Sequence, residues 1–111
     1  MVELTRGAVI WADLDPRRGQ AGRRLALVVA SRLYLRTVTT LAIVVPITTV
    51  HRDWPNHVLL RGDRLGLDQP SWAMTEQPRT IDRARVASVL GLVDTTTMQE
   101  VDLWLGDFLN L

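Results

Sequence analysis

Few residues in this chain can do chemistry, and what is missing narrows the choice. There is no cysteine, which removes thiolate nucleophiles, disulfide frameworks and thiolate zinc sites. No GxxxxGK[ST] or GxGxxG loop, no HExxH and no serine elbow occurs. His51 and His57 are the only histidines. With Asp53 they could ligate zinc, but that spacing across a loop-to-strand segment is unspecific, so no metal and no other cofactor is expected. As a pair they could run general acid–base cleavage of RNA. Neither has an identifiable orienting partner in the sequence, so both read as polar residues at a loop edge.

Two segments look more deliberate. Arg23-Arg24 immediately precede the apolar run Leu25–Ala30. A guanidinium anchored at the start of a rigid strand can be aimed. It donates to a phosphate in bidentate fashion and stays charged. Pro46-Ile47-Thr48-Thr49 closes a second apolar run. If the two runs are neighbouring strands, Arg24 and Thr48 lie near one cleft, with the Thr48 hydroxyl available to a phosphate oxygen. The competing reading is rim ion pairs and a strand-end threonine. Trp54, in Asp53-Trp54-Pro55-Asn56, could stack on an unpaired base, pack in a dimer interface or receive a protein partner. Trp11, Trp72 and Trp104 sit in apolar contexts that suit a core or an interface.

The charge distribution supports an anionic partner. The formal net charge of the 111 residues is only +1, and every one of the 13 basic residues is Arg. Residues 16–52 carry seven of these and no acid. The flanking segments are acidic, −2 over residues 1–15 and −4 over residues 53–111. GC-rich coding would account for the absence of Lys but not for the absence of acids from one stretch. Such asymmetry suggests an anionic partner.

The elements that must position these residues follow from hydrophobic patterning. The length and the ordinary globular composition, 47% hydrophobic and 23% charged, predict one domain spanning residues 1–111. Ala8–Ala12 reads as a strand stopped at Asp15-Pro16, and Pro16–Arg24 as a loop. Leu25–Ala30 and Leu41–Thr49 read as buried strands. Pro46 lacks an N–H, so the second must bulge or meet an edge there. Short strands are expected at 57–60 and 71–75 around a turn region at 62–70, and another strand at 86–93. Met98, Val101, Leu105 and Phe108 recur at helical spacing behind a candidate cap, Asp94, which predicts a helix over 95–109. Many strands and one C-terminal helix give a mainly β (α+β) fold, a small, strongly bent sheet or barrel with helical cover. No apolar run approaches the roughly 20 residues of a membrane span. No apolar stretch follows a basic start at the N-terminus. The expected location is the cytoplasm.

Four motifs, in order, resemble the MazF/PemK toxin family. They are Arg6-Gly7-Ala8-Val9-Ile10-Trp11 with Asp13-Leu14-Asp15-Pro16, Gly19 to Val29, Val45-Pro46-Ile47-Thr48-Thr49, and Glu76-Gln77-Pro78-Arg79-Thr80-Ile81-Asp82. The likeness extends from residue 6 to about residue 109. It implies an SH3-like β-barrel of the CcdB/MazF type with a C-terminal helix, and a homodimer. It implies the toxin of a type II toxin–antitoxin system, a sequence-specific, metal-independent endoribonuclease cutting single-stranded RNA. Cleavage would go by attack of the 2′-hydroxyl, leaving a 2′,3′-cyclic phosphate or 3′-phosphate and a 5′-hydroxyl. It also implies a small, acidic, partly disordered cognate antitoxin.

On this resemblance Arg24 and Thr48 are the catalytic pair. Gln20, Arg23, Thr49, Trp54, Gln77 and Arg79 are candidate RNA contacts. An Arg with a pKa above about 12 is a poor base, so Arg24 is assigned to stabilising the transition state. Three departures stand out. Leu25 replaces the usual Pro after the Arg, Pro78 replaces an Ile or Val, and the loop around Gly19-Gln20-Ala21-Gly22 is two residues shorter. For Thr80 and Asp82 a turn role is expected. The rival readings on the same fold are a non-catalytic CcdB-like gyrase poison, which lacks the Arg and Thr pair, and a catalytically weakened RNA-binding barrel.

Overall fold

The three longest apolar runs bury both faces, and that decides the architecture. Even-numbered residues of these runs, among them Ile10, Ala26, Val28, Ala42 and Val44, join one buried cluster. Odd-numbered ones, among them Val9, Leu27, Val45 and Ile47, join a second. Side chains of a strand alternate between faces, so the central strands are sandwiched between two half-cores. The computed structural model describes residues 3–111. Met1 and Val2, where the reading of the N-terminus begins, lie outside the described residues.

Among the described residues the elements are β1 (Ala8–Asp13), β2 (Arg23–Val28), α1 (Arg32–Thr37), β3 (Leu41–Thr48), β4 (His57–Leu59), β5 (Arg64–Leu65), β6 (Trp72–Met74), β7 (Arg79–Asp82), β8 (Val86–Leu92) and α2 (Thr95–Leu109). The strands pair in the order β4-β6-β3-β2-β1-β8-β5, and β7 also pairs with β3. Every pair is antiparallel. The fold is barrel-like, but the sheet stays open, since β4 and β5 end the path without pairing to each other.

Pro46 sits where β3 changes neighbours. Pairing with β7 ends at Val44 and pairing with β6 begins at Ile47, so the missing proline N–H falls between two ladders. Three elements had no counterpart in the sequence reading: α1, β7, and β5, which falls within the expected turn region at 62–70. Residues 31–40 contain α1, whose N-terminus is capped by Ser31 accepting from the Tyr34 N–H at 3.0 Å. β7 forms directly after Pro78, so Thr80 lies in a strand rather than a turn. Asp82 does take the turn role, accepting from the Ala84 N–H at 3.0 Å. The expected helix is α2, with Asp94 accepting from the Thr97 N–H at 2.8 Å. Met98 and Val101 are buried against the second half-core while Phe108 remains exposed.

Candidate nucleic-acid cleft

The register of β2 and β3 brings the candidate pair together. Ala26 lies opposite Pro46 and Val28 opposite Val44. Carried two residues past the last pair, that register sets Arg24 opposite Thr48. A cleft of about 550 Å³ opens there, lined by Arg18, Arg23, Arg24, Thr48, Thr49, Gln77 and Arg79, with Trp11, Leu25, Ile47 and Met74 as apolar lining. Four guanidinium groups face a single carboxylate lining residue, Asp15, so the cleft concentrates positive potential.

The loop ahead of Arg24 is ordered rather than irregular. Residues Pro16–Gly22 form two short 3-10 turns kinked at Gly19, whose φ of 56° favours glycine. Asp15 starts them by accepting from the Arg17 N–H at 3.3 Å. Gly22 closes them, and a Cβ on it would meet the Asp15 carbonyl oxygen at 2.0 Å. The Leu14 N–H donates to the Gly22 carbonyl at 3.0 Å. This packing delivers the Ala21 and Arg23 carbonyls to the Arg24 guanidinium, whose Nη1 donates to them at 2.6 and 2.8 Å. Both hydrogens of Nη1 are thereby used. The Nε–H and Nη2–H edge, the fork that fits two phosphate oxygens, makes no hydrogen bond among the described residues.

Thr48 is arranged in a complementary way. Its Oγ1 accepts from the Val50 N–H at 3.1 Å and from Arg52 Nη1 at 3.4 Å. Both contacts use oxygen lone pairs, which leaves the hydroxyl hydrogen to be donated. Arg79 reaches from β7 to the Leu14 carbonyl at 2.7 Å, tying β7 to the end of β1. Gln77 donates from Nε2 to Glu76 Oε2 at 3.2 Å.

Two of the candidate RNA contacts stand apart. Gln20 is exposed on the loop and does not line the cleft. Trp54 is 49% exposed and rests at a 42° tilt on His57, with ring centroids 5.0 Å apart. His57 itself is not the loop-edge residue that the sequence suggested. Its side chain is 3% exposed, and Nε2 lies 3.1 Å from both Glu76 oxygens. Asn56 Nδ2 also donates to Glu76 at 2.9 Å. Burial pushes the Glu76 carboxyl up, but hydrogen bonds from His57, its own backbone and Gln77, with the charge of His57, outweigh it and hold the carboxyl below the usual value. The partners are 19 residues apart in sequence, and only the pairing of β4 with β6 brings them together.

His51 also has a partner. Its Nε2 lies 3.0 Å from Asp53 Oδ1, and its ring stacks on Trp72 with centroids 4.7 Å apart and planes 7° from parallel. Trp72 is half-buried, as are Trp11 and Trp104, so none of the three is a fully buried core residue.

Comparison with known proteins places these features in context. A family model described as PemK-like, MazF-like toxin of type II toxin-antitoxin system matches residues 5–109. Endoribonuclease EndoA of Bacillus subtilis is 37% identical over 103 residues, covering 89% of this chain and 88% of the relative. The crystal structure of MazF from Deinococcus radiodurans superimposes with a TM-score of 0.81 at 28% identity, covering the whole of both chains. A MazE–MazF complex from the same organism gives 0.79 at 26% identity, again over the full length of both.

Proposed function

Because the chain belongs to the PemK-like, MazF-like toxins of type II toxin–antitoxin systems and is an endoribonuclease, we propose that it cuts single-stranded RNA between Arg24 and Thr48. The observation that carries this reading is the pairing of two unspent donors across one basic cleft. Arg24 and Thr48 line the same cleft, each with a donor left over from its own hydrogen bonds, among Arg18, Arg23 and Arg79.

In the reaction the RNA supplies its own nucleophile. The 2′-oxygen attacks the adjacent phosphorus and the bond from phosphorus to the 5′-oxygen breaks. The 2′-hydroxyl loses a proton and the leaving 5′-oxygen gains one. The products are a 2′,3′-cyclic phosphate or a 3′-phosphate, and a 5′-hydroxyl. The protein must stabilise the extra charge on the pentacoordinate phosphorus. Donors already fixed by carbonyls and strand geometry do this without reorganising. Arg24 grips two non-bridging oxygens and Thr48 donates to one of them. Arg23, Thr49, Gln77 and Arg79 hold the flanking nucleotides. The nucleophile is the RNA's own 2′-oxygen, so no metal-bound water is needed, and cleavage is expected with EDTA present.

An antitoxin partner is supported by the MazE–MazF complexes among the solved structures. Its acidic, partly disordered tail competes with RNA for the cleft. A homodimer is supported by large apolar side chains left exposed on α2 and β8, including Leu103, Phe108, Val89 and Leu90. No described helix is long and apolar enough to cross a membrane, and the toxin acts in the cytoplasm.

The test is to incubate the purified protein with a long single-stranded RNA in EDTA. Discrete cuts bearing 5′-hydroxyl ends are expected. Retarded but uncut RNA would point to the binding barrel, and intact RNA with inhibited supercoiling to the gyrase poison.

A further inference from the structure

Thr48 has an aromatic neighbour that the reaction above leaves unused. β3 and β6 pair with Thr48 directly opposite Trp72 and Ile47 opposite Ala73. Ile47 and Ala73 point into the core, so Thr48 and Trp72 share the other face of the sheet, side by side one strand spacing apart. Met74, two residues on and therefore on that same face, lines the cleft. His51 lies flat against the Trp72 ring. The His51 side chain is nevertheless 60% exposed. One ring face is spent on Trp72 and the other is open.

The segment holding His51 is tied down. Arg52 donates to the Thr48 hydroxyl oxygen, and Asp53 meets the His51 ring edge. Asp53 has a φ of 56°, a left-handed conformation that a non-glycine residue adopts at some cost. The outcome is a planar, solvent-facing ring two residues from the start of the loop after Thr48.

We propose that the open face of His51, backed by Trp72, is a stacking platform for one nucleobase beside the scissile phosphate. The proposal rests on the endoribonuclease reading of Arg24 and Thr48. An unpaired base presents a flat π surface of the same kind, and stacking on a protein ring is sequence-tolerant. The platform therefore fixes where a nucleotide lies rather than which base it carries. Trp54, the tryptophan that the loop sequence suggested for this task, rests instead on His57.

A loop staple is the rival explanation for the His51–Trp72 contact, and substrate chemistry separates the two. The wild-type protein, His51→Ala and His51→Phe are assayed on a short RNA containing a preferred cut site. An abasic ribonucleotide is then placed at each position flanking the cut in turn. A platform gives the wild type one position where loss of the base lowers kcat/KM about tenfold, mainly through KM. His51→Ala shows a similar loss on intact RNA and no further loss at that abasic position, while His51→Phe keeps the wild-type pattern. The inference is overturned if His51→Ala cuts intact RNA as well as the wild type does. It is equally overturned if its loss multiplies with the abasic loss at every position, as a staple requires. Wild-type protein that leaves every RNA intact would instead remove the underlying endoribonuclease reading.

Discussion

At the scale of residues, the Arg24 guanidinium is fixed by two backbone carbonyls and still has a free fork. Arg24→Ala is expected to lower kcat about 10²–10³-fold, the usual cost of deleting one transition-state donor. Single-turnover cleavage of a defined RNA checks it. Arg24→Lys keeps the charge but loses the fork, so it should restore only a small part of the rate. If Arg24→Ala cuts at near wild-type rates, the assignment is wrong. The pair could be suspected from the sequence because each residue adjoins an apolar run. Their juxtaposition could not, since it depends on the β2–β3 register. His57 with Glu76 and His51 with Trp72 were hidden for a related reason. Each contact depends on which strands pair and in what register, which the sequence does not show.

At the scale of elements, the loop before β2 and the cap of α2 make distinct demands. Gly22→Ala places a Cβ against the Asp15 backbone, so the loop must shift and carry the Ala21 and Arg23 carbonyls with it. Cleavage should fall at least as far as KM and kcat effects of misaligned Arg24 dictate, while the far-ultraviolet circular dichroism of the remaining fold is kept. Asp94 contributes through α2. Hydrogen bonds from the Thr97 hydroxyl and backbone N–H hold its carboxyl below the usual value. A carboxyl lowered in the folded state stabilises the protein above its unfolded pKa, and that contribution is lost as pH falls through the folded one. Asp94→Ala should lower the midpoint of urea unfolding at neutral pH. Asp94→Asn, which still caps, should flatten the loss of stability as pH falls through the ordinary carboxylate range and below it. β1, β2 and β3 were legible as apolar runs and α2 as a helical stripe, and β4, β6 and β8 were expected as further strands. α1 has six residues and buries only Leu35, and β7 has four residues with a single buried side chain, Ile81. Neither leaves a pattern strong enough to outweigh a neighbouring proline or turn residue.

At the scale of the whole molecule, a basic cleft is set within a nearly neutral chain. RNA binding by a cleavage-deficient Arg24→Ala protein should weaken steeply with salt. Removing Arg18 or Arg23 should reduce the slope of log affinity against log salt by about one each. Fluorescence anisotropy with one labelled RNA across a salt series measures this. An unchanged slope would place the phosphates elsewhere. The partner change of β3 at Pro46 has a further consequence, for motion. The ladders to β7 and β6 do not overlap, and the proline between them offers no amide hydrogen. The edge made by β4 and β6 is joined to β3 only at Ile47 and Thr48, and to the second half-core through Val58 and Ala73. Native-state hydrogen exchange should then report an opening of β4 and β6 at lower free energy than global unfolding. Thr48 lies on β3 opposite Trp72 of that unit, so its opening would uncover one side of the strand that carries half of the proposed catalytic pair.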